Sequence, residues 1–143
     1  MDIERLFDAS YMRVLSREVE GQVFFEAFYE RFLAASPEIA KKFRQTDMAR
    51  QRAMLKKAFY RLLSFYVSSH ADYYLKEVAI SHSRAHLDIP PKLYDFWLET
   101  LIDTVRAFDE QFDDEVELAW RLVMTPGIVF MTFHYDRGDD PGR

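Results

Sequence analysis

Apolar residues recur along this chain at three- and four-residue intervals, the spacing that gathers them on one face of a helix. From about Ile3 to Glu18 the repeating positions are Leu6, Phe7, Tyr11, Val14 and Leu15. From Gln22 to Ala35, Phe24, Phe25, Phe28, Tyr29 and Phe32 make a denser aromatic stripe. Ser36-Pro37-Glu38 places a capping hydroxyl, a first-position proline and an acid in one turn, and so opens a short helix ending near Phe43. Thr46 or Asp47 can cap the next helix, which runs to about Ser68 with Met48, Leu55, Phe59, Leu62, Leu63 and Tyr66 inward. Its other face, Arg50, Arg52, Lys56, Lys57 and Arg61, is basic and reads as a solvated surface. A short loop through His70 leads to a central helix over about Asp72 to Arg84.

Pro90 and Pro91 stop that helix and start another, because proline cannot continue a helix but fits its first turn. Lys92 to Phe108 follows, with Leu93, Phe96, Trp97, Leu101, Ile102 and Val105 inward. Asp113 caps a last helix carrying Val116, Trp120, Val123, Ile128, Met131 and Tyr135, in which Pro126-Gly127 is expected to introduce a bend. The pattern predicts an all-α fold of six main helices plus one short helix. Glycine is scarce and no Asn-Gly or Asp-Gly hairpin signal occurs. Only Asp136 to Arg143 is expected to be disordered.

Composition narrows the function. A chain of 143 residues fits one domain with a single sizeable core. Thirteen Phe and eight Tyr exceed what such a core needs, so the interior is either wide and flat-walled or packed solid with rings. A net charge of -5, mixed along the chain, disfavours nucleic acid, which needs a basic face. The absence of cysteine excludes disulfides and thiolate metal sites and fits a reducing, cytoplasmic compartment. MDIERLF shows no signal-peptide pattern, and no window of about 18 apolar residues suggests a membrane span. No GxSxG, HExxH or P-loop pattern is present.

What remains is a histidine pair, a tyrosine on an aromatic stripe and a glutamine at a helix start. His82 and His86 lie four apart, so on one helix both imidazoles can face the same space. A helix that stops abruptly can present one axial nitrogen to a flat cofactor, and histidine is a common ligand of haem iron. Either histidine can fill that role. The imidazole's other nitrogen needs an acceptor, for which the Val78 carbonyl, Ser81 and Tyr94 are candidates. His70 and His134 read as exposed.

Three segments carry a family resemblance: FYERFLAASPEIAKKF from Phe28 to Phe43, QRAML from Gln51 to Leu55, and SHSRAHLDIPPKLY from Ser81 to Tyr94. Together they resemble a bacterial single-domain globin, similar to the haem domain of flavohaemoglobins, over about Gln22 to Tyr135. The resemblance implies a globin fold around a haem pocket in residues 1–135 and haem b (iron protoporphyrin IX) as cofactor. It implies His82 as the iron ligand, 31 residues after Gln51, with His86 and Arg84 as contacts to a haem propionate. Phe43 matches the phenylalanine wedged against the haem face, and Leu55 the apolar residue beside the distal one. Tyr29 and Gln51 match the distal polar residues that meet a bound gas, with Met48 or Met54 as substitutes for Gln51 if the register slips. Tyr94 matches a tyrosine below the proximal side and Trp120 a tryptophan of the last helix.

One departure stands out. The glutamate that joins the proximal histidine in flavohaemoglobins has no counterpart near Tyr135, and Glu115 and Glu117 come too early. The anionic push toward oxygen chemistry is therefore weakened. The implied activity is reversible binding of a small diatomic gas, O2 and also NO or CO. The rival readings are nitric-oxide dioxygenation or peroxidase-like turnover with an external reductase, and a globin-fold sensor that binds no haem. No reductase domain is expected, and the chain is expected to be a monomer or a homodimer.

Overall fold

The computed structural model describes residues 1–137. Its helices are α1 (Ile3–Leu15), α2 (Phe24–Ala35), the short α3 (Pro37–Lys42), α4 (Met48–Ser68), α5 (Tyr73–Ser81), α6 (Lys92–Phe108) and α7 (Asp114–His134). The all-α expectation holds, with six main helices and one short one among the described residues. Aspartates start four of them. Asp2, Asp47, Asp72 and Asp113 each accept a hydrogen bond from the backbone N–H three residues on, at 3.1, 3.3, 2.8 and 2.8 Å. Such a cap is worth about 1 kcal/mol, because it satisfies a donor that the first turn leaves unpaired. Ser36 caps α3 in the same manner, accepting from Glu38 N–H at 3.2 Å.

Three boundaries differ from expectation. The first helix stops at Leu15, and a two-residue antiparallel pair, β1 (Glu18–Val19) with β2 (Gln22–Val23), joins it to α2. The turn between these strands is Glu20-Gly21, both with positive φ (52° and 79°). Glu-Gly thus fills the turn that Asn-Gly or Asp-Gly usually fills, its glycine supplying the second left-handed position at no steric cost. The second correction is in α5, which ends at Ser81 rather than Arg84. The Ser81 hydroxyl donates to Val78 O at 2.9 Å and the Ser83 hydroxyl to Ile80 O at 2.6 Å. These side chains take up the last carbonyls and so compete with continuation of the helix. The third difference is at the end of the chain. Residues 138–143 of the expected disordered tail lie outside the described residues. Asp136 pairs with Arg84 at 2.6 Å and Arg137 donates to Phe133 O at 2.7 Å.

The core gathers α1, α2, α4, α6 and α7 around Phe7, Phe24, Phe28, Phe59, Phe108 and Trp120, all essentially fully buried. Trp120 meets Phe7 edge-on at 4.7 Å. Its indole N–H donates to Ser10 Oγ at 2.8 Å, and the Ser10 hydroxyl donates to Asp109 Oδ2 at 2.6 Å. Arg13 closes the set with two bonds to the same carboxylate, at 2.6 and 2.8 Å. This buried network locks α1 onto the corner between α6 and α7. Gly127 lets α4 approach α7, since a Cβ there would stand 2.2 Å from Leu62 Cδ2. The helix α7 runs unbroken through Pro126.

The helix α5 stands apart from this core. Its buried residues Leu75 and Ala79 lie outside the main cluster, and along the 21 residues of α4 only Leu55 and Phe59 are buried. Leu62, Leu63 and Tyr66 of α4 pack only partly against the core. Thus the two helices that carry Gln51 and lead to His82 keep half-buried apolar faces.

Candidate functional site

His82 is the residue at which α5 stops, and its backbone N–H still reaches Val78 O at 3.0 Å. Its Nδ1 lies 2.8 Å from the same carbonyl and 3.1 Å from Ser81 Oγ. A carbonyl only accepts, so Nδ1 must carry the hydrogen, and the lone pair of the neutral ring is left on Nε2. Burial lowers the pKa of His82, and the Val78 bond only partly offsets that, so the neutral form is favoured. The result is an imidazole of fixed tautomer with one nitrogen held for a ligand, oriented by the Val78 carbonyl with Ser81 beside it. Tyr94, the third candidate orienter, is partly buried, and desolvation raises its pKa.

His86 does not share that face. Because α5 ends at Ser81, His86 lies in the turn that follows and is exposed. The expectation of two histidines on one helical face therefore fails, for the reason that Ser81 and Ser83 end the helix early. Arg84 is also exposed. Its guanidinium pairs with Asp136 at 2.6 Å and lies over the Tyr135 ring at 4.7 Å, while its backbone N–H donates to Tyr135 O at 2.9 Å. It thus faces the end of α7.

The corner after His82 is a knot of backbone bonds. Leu87 N–H reaches Ser81 O (3.0 Å), Asp88 N–H reaches Ser83 O (2.9 Å) and Ile89 N–H reaches His82 O (3.0 Å). Asp88 adopts a left-handed φ of 53°, which a short polar side chain tolerates. Tyr135 donates its hydroxyl to Asp88 Oδ1. On the opposite side Lys42 Nζ reaches Leu87 O at 3.1 Å and Lys92 pairs with Glu38 at 3.1 Å. The corner is therefore fastened to α7 at one edge and to α3 at the other. None of these fastenings follows a spacing rule, and sequence reasoning missed them.

Tyr29 of α2 is buried, and its oxygen accepts from Gln51 Nε2 of α4 at 3.1 Å. The structure thus brings these two candidate residues together. Since Tyr29 O accepts from Gln51, its own hydrogen is left to donate elsewhere. Burial pushes the Tyr29 pKa up to about 12, against the lowering effects of Gln51 and Arg52, so the phenol stays protonated at neutral pH. Phe43, at the end of α3, meets Tyr29 edge-on at 5.9 Å and Phe32 at 6.0 Å. Leu55 is buried one turn beyond Gln51. Of the substitutes for Gln51, Met54 is exposed and Met48 packs against the core.

The remaining candidates sort by burial. His70 is exposed as expected. His134 is half-buried instead, tilted against Phe130 at 4.6 Å, and desolvation lowers its pKa. Glu117 pairs with Arg121 at 3.0 Å, and Glu115 is exposed. Among the described residues no group of three or more His, Cys, Asp or Glu could hold a metal ion.

No family model matches the chain, and no curated protein matches it. Among solved structures it is similar to a crystal structure from Pseudomonas aeruginosa PAO1, described as that of a protein structurally highly homologous to a human haemoglobin. The likeness has a TM-score of 0.85 and 38% identity, over 94% of this chain and 99% of that one.

Proposed function

The chain belongs to the haemoglobin-like globin family, and from that premise we propose that it holds haem b through His82 and reversibly binds a small diatomic gas, O2 first among them. Within that family, the resemblance of its segments supports a single-domain bacterial globin similar to the haem domain of flavohaemoglobins. The observation that carries the reading is the fixed tautomer of His82, whose Nδ1 is 2.8 Å from Val78 O and whose Nε2 keeps its lone pair. That is the donor arrangement an iron porphyrin requires of a proximal imidazole. When bound, the haem would be held by His82 and would supply an iron able to take up the gas.

The protein's own residues then divide the work. His82 binds, and the Val78 carbonyl and Ser81 orient its ring. Phe43 and Leu55 bring apolar surface to the face where Tyr29 and Gln51 stand, and exclude water there. Tyr29 offers a hydroxyl proton polarised by the Gln51 amide. Because the acceptor on Nδ1 is an uncharged carbonyl rather than a carboxylate, the imidazole keeps an ordinary donor strength. This favours binding and release of the gas over cleavage of its bond, and so ranks a gas-binding role above oxidative turnover with a reductase.

The test is the visible spectrum of the purified protein after addition of haem. The wild type should show an intense Soret band, and His82→Ala should lose it or shift it strongly, while His86→Ala should keep it. A Soret band that survives in His82→Ala and disappears in His86→Ala would reassign the ligand. No band in the wild type would remove haem from the account.

A further inference from the structure

The surplus of aromatic residues is not scattered through the interior. A continuous row of rings leads from the candidate site to the surface. Phe28 meets Tyr29 at 5.0 Å and Trp97 at 6.0 Å between ring centroids. Phe59 meets Trp97 at 6.4 Å and Trp120 at 6.0 Å. Tyr11 meets Trp120 at 6.1 Å and Tyr60 at 6.3 Å, and Tyr60 is 63% exposed on α4. Packing accounts for these contacts. It does not account for how differently the polar atoms along the row are treated.

An indole or a phenol gives up an electron readily only when its proton can follow, because a buried cation is costly. Trp120 sits on α7, where an 18-residue window has a mean hydropathy of 1.3, long and apolar enough by length and composition to cross a membrane, contrary to the sequence reading that no such window exists. Those surroundings offer the buried indole no solvent. Its proton nevertheless has an exit, since the N–H donates to Ser10 Oγ at 2.8 Å and the Ser10 hydroxyl to the Asp109 carboxylate at 2.6 Å. The buried Tyr11 hydroxyl has no acceptor among the described residues, so that ring can pass an electron but not hold the vacancy. Tyr60 has water. We propose that this row conducts oxidising equivalents from the site through Trp120 to Tyr60, where a soluble reductant removes them. The oxidant is hydrogen peroxide, formed when O2 takes up two electrons and two protons, and its reaction at the site rests on the haem reading above. Trp120 gives one electron toward the site while its proton moves to Ser10 and the Ser10 proton moves to Asp109. Tyr60 then refills the indole through the Tyr11 ring and releases its phenolic proton to water, and Asp109 returns the first proton through Ser10. A phenoxyl radical is a weaker oxidant than an indolyl radical, so the transfer runs outward. Two transfers, with two protons from water, convert one peroxide into two waters. Each leaves a Tyr60 phenoxyl radical, which ascorbate restores by giving one electron and one proton.

The test begins without haem. Azidyl radical, made by pulse radiolysis, oxidises indole in preference to phenol. In the wild type the indolyl absorption should give way to tyrosyl absorption at a rate independent of protein concentration. Tyr60→Phe should slow that exchange several-fold and leave the fold intact, because the side chain is exposed. Trp120→Phe should slow it as well, with the far-ultraviolet helix signal as the check on folding. Tyr73→Phe, at a 78% exposed position outside the row, should not. Haem-loaded protein treated with hydrogen peroxide and frozen should then show a tyrosyl signal in electron paramagnetic resonance that Tyr60→Phe removes. Equal decay of the indolyl absorption in the wild type, Tyr60→Phe and Trp120→Phe would overturn the proposal. So would equal slowing by Tyr73→Phe, or a peroxide-generated signal indifferent to Tyr60→Phe. Failure to take up haem with the azidyl result intact would sink the reading of the site and leave the conducting row standing.

Discussion

Replacing Tyr29 with phenylalanine tests the distal half of the site most directly. The hydroxyl accepts from Gln51 Nε2 at 3.1 Å and keeps one hydrogen to donate. Gln51 is half-exposed, so losing its tyrosine partner leaves an amide that water can still satisfy, and the fold should lose only about 1 kcal/mol. On the proposed reading, a bound gas that gains partial negative charge would lose the Tyr29 hydroxyl as a donor. A hydrogen bond to a charged group is worth roughly 1.5–3 kcal/mol, which converts to about ten- to a hundred-fold faster O2 release at 1.4 kcal/mol per decade. Gln51→Leu should act differently, because the Gln51 amide is bonded to the Tyr29 oxygen. It removes the polarisation of the phenol, a gain of about 10–30% of one bond in cooperative chains, and so should speed release only a few-fold. The double variant should then resemble Tyr29→Phe alone. Stopped-flow release of O2 into a scavenger measures all three rates. Strict additivity of the two substitutions would refute the relay and make Gln51 an independent donor. An unchanged rate in Tyr29→Phe would remove the hydroxyl from the site.

The other predictions concern the scaffold. Asp109 is 2% exposed and accepts from Ser10, Arg13 and Gln111 N–H. Asp109→Ala should cost about 3 kcal/mol in urea denaturation, the low end for breaking a buried pair, since the 27% exposed Arg13 side chain recovers some hydration. Burial alone would raise the Asp109 pKa, but Arg13, Ser10 and Gln111 outweigh it and hold the carboxyl below its ordinary value. Its stabilising effect is therefore full above the ordinary carboxylate range and is lost as pH falls through the lowered value. An acid unfolding curve unaltered by Asp109→Ala would contradict this. The buried Tyr11 hydroxyl finds no partner among the described residues, and burial pushes its pKa up to about 12. Tyr11→Phe should therefore raise stability by about 1 kcal/mol, and a loss of that size would reveal a bond the ring arrangement does not show. Tyr135→Phe should leave global stability nearly unchanged but speed amide exchange at Asp88 and Ile89, where the corner loses its tie to α7. Exchange at wild-type rates there would mean that the corner's own backbone bonds suffice.

Helix identity was legible because it is a one-dimensional property. The apolar period along α2, the aspartate caps and the diproline before Lys92 each act within a turn or two, and each element appears where that chemistry puts it. The pairing of Tyr29 with Gln51 was also within reach, since both sit one turn inside helices of known face. The end of α5 was not legible from the apolar period. Ser81 and Ser83 compete for the carbonyls of Val78 and Ile80, and a side chain that competes with the backbone can be tolerated within a helix or can end it. Here it ends the helix, which leaves His82 at its end and His86 outside. The Glu20-Gly21 turn was hidden for a similar reason, since glutamate gives no hint of the positive φ it accepts beside glycine.

The fastening of the corner is a further step removed from the sequence. Arg84, Asp88, Tyr135 and Asp136 are separated by up to 52 positions and meet only because α7 ends where α5 does. Their chemistry is that of ordinary surface residues, and each alone reads as solvated. Yet the corner they tie down begins at His82, whose ring direction is set by the carbonyl of Val78 one turn earlier. The imidazole is thus positioned by backbone, and the backbone in turn by side chains from the far end of the chain. A residue's type can suggest that it binds a cofactor, but its aim depends on how both ends of the loop that carries it are held.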